Sequence, residues 1–331
     1  MDAAEADRLR RHPQVLEVEQ DRILTAQTTQ TNPGWGLDRL DQATPPLNNT
    51  YVYSANGAGQ TIYILDSGLD VSNAAVAAEF GSRASIIYDV NGGAGYDCEG
   101  HGTKVASAAG GNTKGVAKGA SLVIAKILTG CTKNFDESTV IMALNWLAAN
   151  APRGTIANLS LGYYDLSGTC NGFFFSMSLE NAIIAAYNAG IIVVVAAGND
   201  GCDTARNSFT RLPQEFVAGA TDSSRLGYGQ DAKASYSRTG LNISTFAPGT
   251  NVPLIDQNGL PVTVSGTSFS APYLAGIFAI ACQAVAPYCS TADTGALYQA
   301  LRDTGISGTV TNADGTPLTG ATSRFIWKQA W

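Results

Sequence analysis

Histidine is nearly absent from this chain, which carries only His12 and His101 among 331 residues. Charged residues are also scarce at 14%, and the formal net charge is −7. Because no basic run is present to neutralise phosphates, nucleic acid is not a predicted partner. No apolar run reaches the ~20 residues needed to cross a bilayer, so no membrane segment is predicted.

The chain also lacks a Cys-x-x-Cys pair, which weakens the hypotheses of a metal site or a redox motif. An even number of cysteines instead indicates disulfides formed in an oxidising compartment. Their pairing stays open at this point. The first residues, MDAAEADRLRRHP, have no apolar signal segment, so we expect a secreted fragment that begins after one. The six cysteines are Cys98, Cys131, Cys170, Cys202, Cys282 and Cys289.

What the chain has is an alternation of short apolar segments with helical patterns. Residues 60–66, 120–128, 155–162, 191–198 and 215–222 are the predicted strands. Residues 138–151 and 177–190 have the apolar spacing of helices. Strands separated by helices predict an α/β fold, with a parallel sheet covered by helices on both faces. Ligands are then expected beyond the carboxyl ends of the strands.

Three glycine-flanked turns supply side chains of complementary chemistry. LDSG places Asp66 at the end of the first strand, and GHGT places His101 at the start of a helix. GTSFSAP places Ser268 at the start of a second helix. Taken singly, Asp66 is typical of a turn, His101 of a buried core position and Ser268 of a helix cap. Together they suggest a nucleophile, because a serine hydroxyl needs a base such as imidazole, and a buried carboxylate orients that base.

The motifs LDSG, GHGT, NLSLG, AAGND and GTSFSAP, spread over about residues 35–290, resemble those of the subtilisin-like serine peptidases. The resemblance is greatest to the secreted branch around proteinase K and aqualysin. It implies a three-layer α/β fold with a mostly parallel central sheet, and a secreted, extracellular serine endopeptidase that acts through an acyl-enzyme. The Gly-x-Ser-x-Gly turn of the α/β-hydrolases is absent around Ser268.

The resemblance also assigns roles to four residues. It makes Asp66 the orienting acid, His101 the general base and Ser268 the nucleophile. Asn199, in AAGND, is the implied side-chain donor of the oxyanion hole, beside the backbone N–H of Ser268. No cofactor is needed for this chemistry.

Two further motifs are the implied substrate-binding walls. Ser160, Leu161 and Gly162 correspond to the segment that pairs with the substrate backbone as an added strand. They form one wall of the S1 pocket, and Ala196, Ala197 and Gly198 form the other. A pocket walled by small uncharged residues predicts a broad or apolar preference at P1, the residue before the scissile bond.

The N-terminal part resembles the end of an inhibitory propeptide. Residues 12–27 have that likeness, and residues 31–40 resemble a mature N-terminus. We therefore expect a propeptide remnant over residues 1–27, a catalytic domain over residues 28–331, and self-cleavage near Gln27–Thr28. The implied partners are polypeptide substrates and the chain's own propeptide, and the implied state is a monomer.

The resemblance also suggests how the cysteines pair. The pairs Cys98–Cys131 and Cys170–Cys202 resemble the two bridges of aqualysin. Cys282 and Cys289 then remain for a third bridge that closes a small loop after the serine helix.

Two of the positions that depart from the family pattern bear on the chemistry of the site. Lys104 stands where GHGT is usually followed by histidine, and a positive charge one turn from His101 lowers the pKa of the base; a solvated surface lysine is the alternative. Ser244 stands where a proteinase K-like calcium site has an aspartate, and it lacks the anionic oxygen that calcium prefers. We therefore assign no metal ligand, and structural calcium elsewhere stays an alternative.

Two other functions use the same scaffold. A catalytically silent pseudoprotease would bind without cleaving, although every catalytic position is intact. A transpeptidase or ligase would pass the acyl group to an amine instead of water.

Overall fold

The computed structural model describes residues 3–18, 27–132, 134–165, 167–285 and 288–328. Its helices are α1 (Ala3–Arg10), α2 (Trp35–Leu40), α3 (Ala74–Phe80), α4 (His101–Gly110), α5 (Glu137–Asn150), α6 (Met177–Asn188), α7 (Thr267–Ala284), α8 (Tyr288–Thr291) and α9 (Thr294–Thr304). Its strands are β1 (Thr28–Thr31), β2 (Thr50–Tyr53), β3 (Thr61–Asp66), β4 (Ala84–Asp89), β5 (Ser121–Lys126), β6 (Ile156–Leu159), β7 (Ile192–Ala196), β8 (Phe216–Asp222), β9 (Asp231–Lys233), β10 (Ile243–Pro248), β11 (Val252–Ile255), β12 (Pro261–Val264) and β13 (Val310–Thr311).

A nine-stranded sheet forms the centre of the molecule, in the order β13-β9-β8-β7-β6-β3-β5-β4, with β10 paired to β8. The pairs are parallel except β8 with β9. All five residues of β7, IVVVA, are buried, because a parallel strand is covered on both faces. This explains why the apolar runs in the sequence are continuous and do not alternate.

Helices cover the sheet on both faces. α4 packs against α7 on one face, where α7 also contacts β6, β7 and β8. α5 packs against α6 on the other, where α6 contacts β7. The prediction of a three-layer α/β fold with a mostly parallel central sheet is confirmed. Within the ranges described, no helix combines the length and apolarity that crossing a bilayer requires.

Parallel strands place their carboxyl ends at one edge of the sheet. β3, β6 and β7 are neighbours, with Ile64 opposite Asn158 and Asn158 opposite Val194. The segments that follow these three strands therefore meet at one edge. Those segments contain the aspartate, the two walls and the asparagine that the sequence motifs single out.

The first residues form a separate surface segment. None of residues 4–18 is buried, whereas β1 joins the body of the protein by antiparallel pairing with β2. Residues 19–26 of the expected propeptide remnant lie outside the described residues. The expected boundary at residues 27–28 coincides with the start of β1.

Candidate active site

Asp66 is the last residue of β3 and is fully buried. Its Oδ1 accepts a hydrogen bond from the backbone N–H of Ser67 at 2.7 Å and lies 2.8 Å from Nδ1 of His101. Its Oδ2 is buried without a hydrogen-bond partner in the part of the chain that is described. The backbone N–H of Ser67 and the imidazole of His101 are therefore the described groups that satisfy this buried carboxylate.

His101 is the first residue of α4, and hydrogen bonds tie this helix to the end of β3. The buried carboxylate of Asp97 accepts from the backbone N–H of Gly100 at 2.7 Å and from Oγ of Ser67 at 2.7 Å. The Ser67 hydroxyl accepts in turn from the backbone N–H of Gly102 at 2.7 Å. Gly100 has a φ of 90°, a left-handed conformation that favours glycine. The imidazole is thereby fixed beside the carboxylate at the strand end.

Opposing effects set the pKa of His101. Burial favours the neutral imidazole, but the charge and hydrogen bond of Asp66, together with the charge of Glu99, outweigh burial and raise the pKa above its ordinary value. Lys104 opposes this rise through its positive charge. The side chain of His101 is 24% exposed, so substrate can reach it from the solvent side.

Ser268 lies in the first turn of α7, whose start it shares with Thr267. Two hydrogen bonds join it to the segment after β6: Oγ of Ser268 donates to the carbonyl of Ser160 at 3.1 Å, and Oγ of Ser160 donates to the carbonyl of Ser268 at 2.7 Å. The serine is therefore held against one of the predicted walls.

The structure does not form the expected hydrogen bond between serine and histidine. In the described part of the chain, the only acceptor of the Ser268 hydroxyl is the Ser160 carbonyl. A hydroxyl has one proton to donate, so this bond competes with donation to His101. Both side chains nevertheless line the same cleft. Such bonds are often loose or absent without substrate.

Asn199 is oriented by Thr267. The Oδ1 atom of the asparagine accepts from the backbone N–H of Thr267 at 2.8 Å and from its hydroxyl at 2.9 Å. The same hydroxyl accepts from the backbone N–H of Gly198 at 3.0 Å. With Oδ1 engaged, the amide must present its Nδ2 donor on the other side. Asn199 also lines the cleft.

A cavity of about 320 Å³, the central cleft, brings most of the predicted residues together. His101, Ser268 and Asn199 line it, and Asp66 lies behind the imidazole. Residues 160–162 line one side and residues 196–198 another, at the ends of β6 and β7. Among the residues that the structure describes, Glu99 is the only carboxylate in the lining. An imidazole paired with a buried carboxylate, next to a serine and an amide donor, is suited to acyl transfer.

The six cysteines form three disulfides: Cys98–Cys131, Cys170–Cys202 and Cys282–Cys289. These are the pairs that the resemblance implies. The first bridge joins the loop before α4 to the segment after β5, and the second joins the segments after β6 and β7. Two of the three thus link loops that surround the central cleft.

Whether calcium fits at the position of Ser244 depends on the groups around its hydroxyl. Its hydroxyl is buried and accepts from the backbone N–H of Val217 at 3.1 Å and from Nη2 of Arg302 at 3.1 Å. A guanidinium at this position repels a cation, so these residues do not fit a calcium ion. No cluster of three or more His, Cys, Asp or Glu side chains suited to a metal occurs within the described ranges.

Sequence reasoning missed the residues that hold the site in place. Asp97 binds the loop before α4, Thr267 orients the asparagine, and Asp200 forms a buried ion pair with Arg238. The glycines around His101 and the position of Thr267 within GTSFSAP are weak signals for the first two. Asp200 and Arg238 lie 38 residues apart in the sequence, and no local pattern predicts their contact.

Comparisons with known proteins agree with this geometry. A family model described as the subtilase family matches residues 57–318. Alkaline serine exoprotease A of Vibrio alginolyticus is 39% identical over 280 residues, which cover 82% of this chain and 48% of that protein. The extracellular serine proteinase of Thermus sp. (strain Rt41A) is 38% identical, and the match covers 83% and 63%. The chain thus spans about half to two thirds of the length of these relatives.

A solved structure extends the likeness to the fold. The crystal structure of a cold adapted subtilisin-like serine proteinase superposes with a TM-score of 0.78 at 32% identity, covering 91% of this chain and all of that one. The residues that the family model matches include the strand ends and helix starts that form the central cleft. The chain therefore belongs to the subtilase family.

Proposed function

We propose that this chain is a secreted serine endopeptidase whose catalytic residues are Asp66, His101, Ser268 and Asn199. One observation carries the proposal: a buried carboxylate lies 2.8 Å from the imidazole, on a cleft that also exposes Ser268 and Asn199. The extracellular Thermus relative and the three disulfides support secretion.

In the proposed reaction, Oγ of Ser268 attacks the substrate carbonyl while Nε2 of His101 takes its proton. The backbone N–H of Ser268 and Nδ2 of Asn199 donate to the resulting oxyanion. The imidazolium, stabilised by Asp66, then protonates the leaving amine as the C–N bond breaks. Water, deprotonated by His101, hydrolyses the acyl-enzyme and restores the serine. No cofactor takes part in these steps.

Substrate binding explains how the serine hydroxyl becomes available to the base. A substrate strand that pairs with residues 160–162 brings backbone N–H donors to this segment. An N–H that donates to the Ser160 carbonyl takes the place of the Ser268 hydroxyl, which then turns to His101. The polypeptide substrate thus helps to assemble the site it reacts in.

We expect apolar or small P1 residues to be preferred. The walls of the central cleft at residues 160–162 and 196–198 carry no charged side chain, and buried Arg238 lies directly behind Gly198. For peptides that differ only at P1, kcat/KM for Phe, Leu or Ala should exceed that for Lys or Arg by about 10- to 100-fold. A series in which basic P1 residues are cleaved fastest would contradict this proposal.

The charges around His101 predict opposite shifts of the acidic limb of the pH profile. Activity requires neutral imidazole, so this limb follows the pKa of His101 in the free enzyme. Lys104→Gln removes a charge that lowers this pKa and should move the limb to higher pH. Glu99→Gln removes a charge that raises it and should move the limb to lower pH. Profiles of kcat/KM for both variants check this, and two unmoved limbs would refute it.

We further propose that residues 1–27 are a propeptide remnant and that the enzyme removes them itself near Gln27–Thr28. The start of β1 at Thr28 and the absence of buried residues in 4–18 support this boundary. N-terminal sequencing of the mature protein should therefore begin close to Thr28, while the Ser268→Ala protein should keep residues 1–27. The mature enzyme is proposed to act as a monomer on polypeptides.

One experiment separates this function from its two alternatives. The protein is treated with a fluorophosphonate, which labels activated serines, and separately incubated with casein in the presence and absence of a free amine. We expect labelling and hydrolysis of casein. Labelling with amine-capped products in place of hydrolysis would indicate a ligase, and the absence of both would indicate a pseudoprotease.

A further inference from the structure

A buried ion pair lies behind the central cleft, between Asp200 and Arg238. Nε of Arg238 donates to Oδ1 of Asp200 at 2.6 Å, and Nη2 of Arg238 contacts Oδ2 of the same carboxylate. The two side chains are only 1% and 2% exposed. The pair is therefore bidentate, a geometry that fixes the orientation of the guanidinium relative to the carboxylate.

This pair joins the two walls of the cleft. Nη2 of Arg238 also donates to the carbonyl of Tyr163 at 3.1 Å, next to the wall formed by residues 160–162. Oδ2 of Asp200 accepts from the backbone N–H of Asp165 at 3.1 Å on the same side. The aspartate itself follows β7 and belongs to the opposite wall. Each member of the pair therefore binds the segment after β6 as well as its partner.

The pair also encloses Asn199. The backbone N–H of Arg238 donates to the carbonyl of Gly198, immediately before the asparagine, at 3.0 Å. Its side chain binds Asp200, immediately after the asparagine. Gly198 has a φ of 109°, and a Cβ there would lie 2.7 Å from Nε of Arg238, so the guanidinium packs directly on this backbone. One arginine thus holds the chain on both sides of the amide donor.

We propose that Asp200 and Arg238 are positioning residues that hold Asn199 at the distance from Ser268 that the oxyanion requires. This inference rests on the proposed function, since it concerns the same reaction. A buried ion pair contributes little more to stability than well-packed apolar side chains, so the position of this pair on both sides of Asn199 is the feature that points to a role in the site. In addition, Nη1 of Arg238 is buried with no hydrogen-bond partner among the described residues.

Arg238→Lys keeps the charge but removes the planar fork, so the asparagine should lose its fixed position. We expect kcat to fall about 10- to 100-fold with KM changed little, because misplacement of a catalytic group by ~1 Å costs up to this much. Asp200→Asn, which keeps the size of the side chain, should likewise lower kcat and change KM little. Active-site titration restricts the comparison to folded enzyme.

A double-mutant cycle tests whether the pair acts through the asparagine. In an Asn199→Ala background the donor is already lost, so adding Arg238→Lys should lower kcat by less than about threefold. Losses that multiply in the double variant, or an unchanged kcat in both single variants, would overturn the inference. If wild-type protein does not hydrolyse peptides at all, it is the proposed function that fails.

The chain offers a matched control in Arg39 and Asp231. This pair is also bidentate, at 2.8 and 2.7 Å, and both side chains are fully buried. The other described hydrogen bond of the Arg39 side chain goes to the carbonyl of Gln42 and not to either wall of the cleft. Arg39→Lys should lower the Tm and leave kcat unchanged. Equal losses of kcat in Arg39→Lys and Arg238→Lys would show a general effect of removing a buried guanidinium fork.

Discussion

Ser268→Ala should lower kcat for peptide hydrolysis by about 10⁶-fold, a magnitude measured for the nucleophile of subtilisin itself, while KM changes little. The reason is that Ser268 lines the central cleft together with His101, whereas the hydroxyl of Thr267, which also lines the cleft at the start of α7, is engaged by Asn199 and Gly198. The hydroxyl of Ser268 gives up only one described hydrogen bond, to the Ser160 carbonyl, so folding should be retained. Steady-state kinetics with a chromogenic peptide measure the loss.

Ser270→Ala provides the control on the same helix. Ser270 is fully buried and its hydroxyl lies 3.2 Å from the carbonyl of Ala247, away from the cleft. Its removal should reduce stability by about 1 kcal/mol and leave kcat within severalfold of the wild-type value. If Ser268→Ala retains more than a hundredth of the activity, the nucleophile is another residue.

Asp66→Asn should lower kcat by about 10⁴-fold. The carboxylate is fully buried against the imidazole, so its charge stabilises the imidazolium that forms in the transition state. Both effects of Asp66 on His101, its charge and its hydrogen bond, raise the pKa of the imidazole. The residual activity should therefore have its acidic limb at lower pH than the wild type.

Combining the two substitutions distinguishes a shared mechanism from general damage. Groups that act as a unit are strongly non-additive, so Asp66→Asn added to Ser268→Ala should produce almost no further loss. Multiplying losses would mean that Asp66 supports the enzyme by some route other than His101. A limb that moves to higher pH in Asp66→Asn would contradict the electrostatic role in a second way.

The layered fold could be predicted from sequence because its central strands have a simple signal. β3, β5, β6, β7 and β8 lie within the predicted segments, since each is mostly apolar and is buried along most of its length. The edge strand β4 was missed because only alternate residues along part of it are shielded from solvent. β11 and β12 were missed because prolines at Pro253 and Pro261 are atypical of strand interiors.

The reactive residues could be proposed from sequence because each has a distinctive type within a glycine-rich turn. Their supports could not, because a support is defined by a long-range partner. Arg238 reads as an ordinary charged residue until its contact with Asp200 is known. The hydrogen bond from the Ser268 hydroxyl to the Ser160 carbonyl could likewise not be predicted from sequence, since a hydroxyl rotates to suit its neighbours.

The most direct test identifies the residue that a fluorophosphonate modifies and measures how far the rate of labelling depends on His101. Peptide mapping by mass spectrometry should place one adduct on Ser268 of the wild-type protein, and His101→Ala should label at least a thousandfold more slowly, in keeping with the ~10⁶-fold loss on removing the base. An adduct on any other residue, or labelling of His101→Ala at the wild-type rate, would contradict the claim that His101 activates Ser268.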